Sequence, residues 1–219
     1  MVSTADISAY LMKIKLPEGD TRVQEGVPAY REPMEKYTEE RVTAATPDPL
    51  LAHRGRDFIG FRDHPFADPG AHGFRWVDLK HFEVLAPETG DLGLVTAVIR
   101  HEQFRDDYAG GGVTPGGIRH GPYWLRHVTA RAYEPVDAPA VIATMSGWAR
   151  QHGGLPPGLR DVLEAEVFDR IRRATARYRL KDLGERAHHD WGRVHQDFHE
   201  VITIDRTAGA VTLIVAADD

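Results

Sequence analysis

Arg75-Trp-Val-Asp-Leu-Lys-His-Phe-Glu-Val-Leu85 is followed, across the segment Pro87-Glu-Thr-Gly-Asp-Leu92, by Gly93-Leu-Val-Thr-Ala-Val-Ile-Arg-His-Glu-Gln-Phe104. Side chains of an extended chain alternate between two faces, so Val77, Leu79, His81 and Glu83 share one face of the first run. Val95, Ala97, Ile99 and His101 share one face of the second. Two such runs around a short turn predict an antiparallel hairpin. Residues 123–133 read as a third strand, with Leu125, His127 and Thr129 on one side. The centre of the chain is therefore β.

Outward from this centre, residues 201–205 and 211–217 flank a turn at 206–209 and predict a closing hairpin. Residues 8–16 alternate apolar Tyr10, Met12, Ile14 and Leu16 with Leu11, Lys13 and Lys15, which predicts another strand. Pro33 opens a charged helix running to Ala45. Residues 46–73, broken by Pro47, Pro49, Pro65 and Pro69, read as irregular, with at most a short strand at 57–61. Asp137 is an N-cap with Pro139 just inside, and Val141, Met145 and Trp148 follow at helical spacing up to a stop at Gly153. Pro157 opens a longer helix whose stripe is Leu159, Val162 and Leu163, Val167, Ile171, Ala174 and Tyr178. In residues 183–200, Ala187, Trp191, Val194 and Phe198 form an apolar stripe of steps 4, 3 and 4, with His188, His195 and His199 beside it; this predicts a third helix. Consecutive antiparallel strands with grouped helices indicate an α+β fold. The expectation is a curved antiparallel sheet of five to six strands backed by about three helices, in a single domain over residues 1–219.

Composition narrows the function classes. With 42 % apolar and 27 % charged residues, the 219-residue chain has the profile of an ordinary soluble globular protein. A net charge of −6 gives no general electrostatic case for nucleic acid or an anionic membrane. Residues 170–181 hold six Arg and Lys side chains, but neighbouring acids make them a salt-bridged face. There is no cysteine, which excludes disulfides and thiolate chemistry. The start of the chain has no signal-peptide pattern and no run is long enough to span a membrane, so a cytoplasmic location is expected.

Three constellations could carry chemistry. His195 and His199 stand at the i, i+4 spacing that chelates a divalent ion on a helix. Gln196 occupies the place where the zinc-protease motif has its glutamate base, so that mechanism fails, and a divalent metal is not the favoured expectation. On the strands, His81 with Glu83, His101 with Glu102, and His127 follow apolar residues on one face, as at the rim of a pocket. Imidazole beside carboxylate is equipment for general acid–base catalysis. Third, residues 108–122 form a glycine-rich loop lacking the spacing of any nucleotide motif. It reads as a lid whose tip, Arg119, His120, Tyr123 and Trp124, binds an anionic or aromatic group.

The leading expectation is an enzyme acting on a small organic molecule, a lyase, cyclase, isomerase or hydrolase, with His81, His101 or His127 as base and Glu83 or Glu102 as its partner. The alternative is a non-catalytic binding or assembly protein pairing through exposed strands, with homo-oligomers as one form. The third is a metal-dependent hydrolase using His195 and His199.

Overall fold

Both faces of the run Ala210-Val-Thr-Leu-Ile-Val-Ala-Ala217 are apolar, and a strand of that kind belongs in the middle of a sheet covered on both sides. The computed structural model, which describes residues 50–110 and 112–218, puts it there. The expected strand at 8–16 and the helix from Pro33 to Ala45 lie outside the described residues. Six strands, β1 (Leu51–Gly60), β2 (Trp76–Val84), β5 (Tyr133–Pro135), β6 (Ala176–Leu180), β7 (Phe198–Asp205) and β8 (Ala210–Ala217), pair in the order β1-β2-β8-β7-β6-β5, each antiparallel to its neighbour. A separate two-residue ladder joins β3 (Arg119–His120) to β4 (Tyr123–Trp124). The fold is α+β, as the alternation and grouping indicated.

One sheet face carries Val77, Leu79, Val201, Ile214 and Ala216 against two helices. Helix α2 (Ala138–Ala149) begins as expected: the Asp137 carboxylate accepts from the Ala140 amide at 2.7 Å. It ends before Gly153, because the Arg75 guanidinium is buried against its C-terminus and donates to the Trp148 and Ala149 carbonyls. The next helix runs from α3 (Pro157–Val162) through a π-helical turn (Leu163–Phe168) into α4 (Asp169–Arg173). Leu159, Leu163, Val167 and Ile171 recur every four residues and are all buried. That spacing drifts around an α-helix, and the wider π turn returns it to the sheet. The helix stops at Arg173, short of Tyr178, and Arg177 turns back to donate to the carbonyls of Ile171, Arg172 and Ala174. Tyr178 lies on β6.

The opposite face packs Trp76, Phe82, Ile202, Ile204, Leu213 and Val215 against helix α1 (Asp91–Arg100) and the loops after it. Here the expected strand at 93–104 is corrected to a helix. Leu94, Val95, Ala97 and Val98 are the buried residues, a 1-3-4 spacing that a helix satisfies, and the apparent alternation of Val95, Ala97 and Ile99 is a subset of it. The strand expected at 123–133 is also corrected: β4 and β5 lie at its two ends, with 3₁₀ turns at Leu125–His127 and Ala130–Ala132 between. β8 fills the place beside β2, so this segment meets the sheet only at its far edge, through β5. The segment 46–73 contains a ten-residue strand, β1, longer than the expected 57–61. The third expected helix is absent from 183–200. A 3₁₀ turn (Glu185–Ala187) and loops lead into β7, tied down where His189 Nε2 meets the Gly121 carbonyl at 2.7 Å and where the Gln196 and Asp197 amides donate to Asp218 at 2.9 Å. These tertiary bonds outweigh a helical pattern already weakened by Gly192, whose position a side chain could not share with the Pro122 carbonyl. No helix among the described residues is long and apolar enough to cross a membrane.

Candidate functional site

Asp78 and Lys80 stand on β2 between Trp76 and Phe82, on the face that carries α1, and neither is exposed to solvent. Burying a charge is costly unless it is paired, and the loop after α1 supplies the pairing. Lys80 Nζ donates to Asp106 Oδ2 at 2.9 Å and to the Gln103 carbonyl at 2.8 Å, and lies 3.8 Å from Asp78 Oδ2. Arg56, from the neighbouring strand, donates through Nε to Asp78 Oδ1. The other oxygen of Asp106 accepts from the Tyr108 amide at 2.9 Å. Two cations and two carboxylates thus balance. Burial holds the Asp78 carboxyl above its ordinary range, against the lowering pull of Lys80 and Arg56.

Two members of this cluster, Arg56 and Asp106, border a cleft of about 670 Å³. Its apolar surfaces are Phe58, Trp76, Tyr108, Trp191 and Val194; Arg56 and Asp106 supply its charges, and the loop residues Ala109, Gly110 and Gly112 form one side. Trp76 is stacked between Phe58 (5.9 Å, 26°) and Tyr108 (5.2 Å, 25°). Tyr108 holds a positive φ of 57°, a conformation that costs a side chain roughly 1–3 kcal/mol and has to be imposed by its surroundings. Lys80 Nζ sits 4.7 Å from its ring centroid. The Tyr108 hydroxyl and Asp78 Oδ2 are both buried and make no hydrogen bond among the described residues. Burial, followed by the charges of Asp78, Asp106 and Glu200, raises the Tyr108 phenol well above its usual value.

Behind Tyr108 a second polar group is fully enclosed. His120 Nδ1 donates to the Phe104 carbonyl at 2.5 Å, its ring stacks on Phe104 at 3.4 Å, and Nε2 meets Glu200 Oε2 at 2.5 Å. Tyr133 donates its hydroxyl to the other Glu200 oxygen, and burial beside that carboxylate holds its phenol well above the usual range.

The residues singled out from the sequence do not gather in one place. His81 bridges Asp57 (2.8 Å) and Thr212 on the helix-covered face, and Glu83 accepts from Arg54 at 2.7 Å at the surface. His101 ends α1 and packs on Phe82 at 4.9 Å; Glu102 and His127 are exposed on 3₁₀ turns. Arg119 reaches Asp107 at 3.5 Å and lies 5.6 Å from the Trp124 ring, away from the main cleft. Tyr123 lines a different cleft, of about 410 Å³, bordered also by His188, His195 and His199. That histidine trio does share one cavity, but along a loop and a strand. His195 places both ring nitrogens against carbonyls, of Asp218 (2.7 Å) and Asp107 (3.2 Å), while His199 packs 6.1 Å from Trp148. The helix expected to carry His195 and His199 is absent, so the i, i+4 spacing does not set them on one helical face. Among the described residues no three His, Asp or Glu side chains gather closely enough to hold a metal ion.

Of the sequence candidates, His120 alone belongs to the polar core of the site, and as a buried anchor. Asp78, Lys80, Asp106, Tyr108, Tyr133 and Glu200 went unnoticed. For Asp78, Lys80 and Glu200 the signal was present in two strands: charges bracketed on one strand face by large apolar residues, as in Trp76-x-Asp78-x-Lys80-x-Phe82 and Phe198-x-Glu200-x-Ile202, must face a core. No family model matches the chain, and neither a known curated protein nor a solved structure is similar to it.

Proposed function

We propose that the chain is an enzyme acting on a small organic molecule by general acid–base proton transfer in the cleft between Trp76 and Trp191. The supporting observation is the buried Asp78–Lys80–Asp106 cluster beneath that cleft. Four charged groups, counting Arg56, are held at a place where apolar side chains would serve folding as well or better. Buried charge clusters beside a concave surface are typical of functional sites. Asp106 is the carboxylate that borders the cleft, and Lys80 fixes its orientation. A one-proton isomerisation is the simplest reaction of this kind: Asp106 takes a proton from one substrate atom and returns it to another. Elimination, cyclisation and hydrolysis begin with the same transfer. The glycine-rich loop forms a wall of the cleft and shields the transfer from water.

The assembly alternative has less support. β1 lies at an edge of the described sheet, but a bulge between His53 and Gly55 and the exposed Arg54 obstruct strand addition. The test of the enzyme reading does not require a known product. Small cyclic compounds found to bind the cleft would be incubated with the protein in heavy water and examined for deuterium bound to carbon. Exchange into at least one ligand is expected, slowed about 10²-fold or more by Asp106→Asn with binding retained. Bound ligands that exchange no faster than in buffer, or an Asp106→Asn protein as fast as the parent, would refute it.

A further inference from the structure

The charges around the cleft are not equally within reach of what enters it. The Arg56 side chain is 38 % exposed, whereas those of Asp78 and Lys80 are fully enclosed and that of Asp106 is 1 % exposed. The carboxylates are also spent. Asp106 gives one oxygen to Lys80 and the other to the Tyr108 amide, and Asp78 receives Arg56 on Oδ1 with Lys80 Nζ 3.8 Å from Oδ2. Arg56 commits only Nε, and its two terminal nitrogens make no hydrogen bond among the described residues. The accessible charge of the wall is therefore one cation. It stands beside accessible aromatic surface. The guanidinium carbon is 5.9 Å from the Phe58 ring centroid, and Phe58 and Trp191, both bordering the cleft, are 57 % and 60 % exposed. Trp76 stacks behind Phe58 and fixes its ring. A guanidinium with two free donor nitrogens in one plane matches the two oxygens of a carboxylate, and rings at its side take a flat apolar body by stacking. Coulomb attraction falls with distance, so a carboxylate in contact with Arg56 gains more from it than it loses to the net single negative charge of the three groups enclosed behind.

We infer that the cleft takes a planar aromatic carboxylate, with its two oxygens on the terminal nitrogens of Arg56 and its rings against Phe58 and Trp191. This names a substrate class for the proposed enzyme and rests on the cleft being its site. A volume of about 670 Å³ accommodates a ligand of two or three rings.

The test compares naphthoate, naphthol and naphthylmethylammonium, three forms of one ring system that are anionic, neutral and cationic at about pH 7. Each would be titrated into the full-length protein by calorimetry and by tryptophan fluorescence. Naphthoate should bind about tenfold tighter than naphthol, with the cation weakest. Arg56→Lys keeps a cation beside Asp78 but cannot hold it and present a two-pronged donor as well. It should weaken naphthoate about three- to tenfold and change naphthol less than about twofold. Arg56→Met should bring naphthoate down to the affinity of naphthol; if that protein fails to fold, Arg56→Lys and the ranking in the parent still decide. Trp191→Ala, at an exposed position, should weaken all three probes about threefold or more. Naphthol or the cation binding as tightly as naphthoate, no binding of naphthoate, an Arg56→Lys protein that keeps the parent's naphthoate affinity or loses naphthol equally, or unchanged affinities in Trp191→Ala would overturn the inference. None of these readouts involves turnover. Aromatic carboxylates that bind through Arg56 without deuterium exchange count against the enzyme reading alone, and exchange confined to uncharged ligands counts against this inference alone.

Discussion

Lys80 shows how much of this molecule turns on single buried charges. Its ammonium has two carboxylates and a carbonyl around it and no access to water. Lys80→Met would leave Asp78 and Asp106 facing each other in the core, and the expected loss is about 3–5 kcal/mol in urea unfolding. Replacing Asp78, Lys80 and Asp106 by Leu, Met and Leu, with Arg56→Met beside them, removes the whole set, and stability should be unchanged or higher by about 1–4 kcal/mol, with proton exchange abolished. A quadruple variant as damaged as Lys80→Met would mean that the charges serve the fold. Gly121 is a second sensitive position. It has φ of 47°, and a Cβ there would lie 2.3 Å from the Phe198 ring. Gly121→Ala should cost more than about 1–2 kcal/mol. Adding Phe198→Ala to the Gly121→Ala protein should recover only the steric part, measurable as non-additivity in a double-mutant cycle.

At the level of elements, Arg75 links two layers. It arises from the strand side, packs over the Phe61 ring at 5.0 Å, and holds the last carbonyls of α2. Arg75→Met keeps much of the stem but frees those carbonyls; a loss of about 2 kcal/mol or more is expected, with faster amide exchange confined at first to residues 147–153. Uniform exchange changes across the sheet would instead assign Arg75 a general packing role. The elements legible in the sequence were those with a chemical start signal or a two-sided pattern: Asp137-x-Pro139 for α2, Pro157 for α3, the alternation in 76–84, and the terminal hairpin. Those misread were short apolar runs. In 93–100 the residues fit both periods, and the choice is made by packing of Leu94 and Val98 against the sheet. In 183–200 the 3.6-residue stripe was real, yet its most prominent member, Trp191, faces solvent and the cleft. The site was less legible for a related reason. Histidines attract attention because they titrate near neutrality, whereas Asp78, Lys80 and Glu200 gain significance only from where alternation buries them.

For the molecule as a whole, three buried or half-buried imidazoles contribute a response to acid. Burial pushes His53, His189 and His199 below the ordinary imidazole range. For His199 the nearby Asp197 and Asp218 oppose the shift and Arg179 adds to it; for His53, Lys80 and His81 add to it while the Gly55 backbone and Asp78 oppose. For His189, Arg119 adds to it, whereas the Gly121 carbonyl, Asp107 and Asp190 oppose. The unfolded chain therefore takes up protons first as pH falls, so these groups' share of stability is complete above about pH 6.5 and drains away below it. The urea midpoint should fall between about pH 7 and pH 5, and His199→Gln should flatten the slope; a midpoint that rises over this interval would contradict the assignment. The strand order has a consequence for synthesis. β8, which follows the other described strands in sequence, lies between β2 and β7. As the polypeptide leaves the ribosome, β2 emerges with Val77 and Leu79 on one face and Trp76 and Phe82 on the other, and only β1 to pair with. The two halves of the sheet cannot join until residues 210–217 are free. Nascent chains stalled before Ala210 should remain open to protease throughout 76–84, and protection should then arrive for β2, β7 and β8 together. During translation the two apolar faces of β2 wait, uncovered on one edge, until β8 is made.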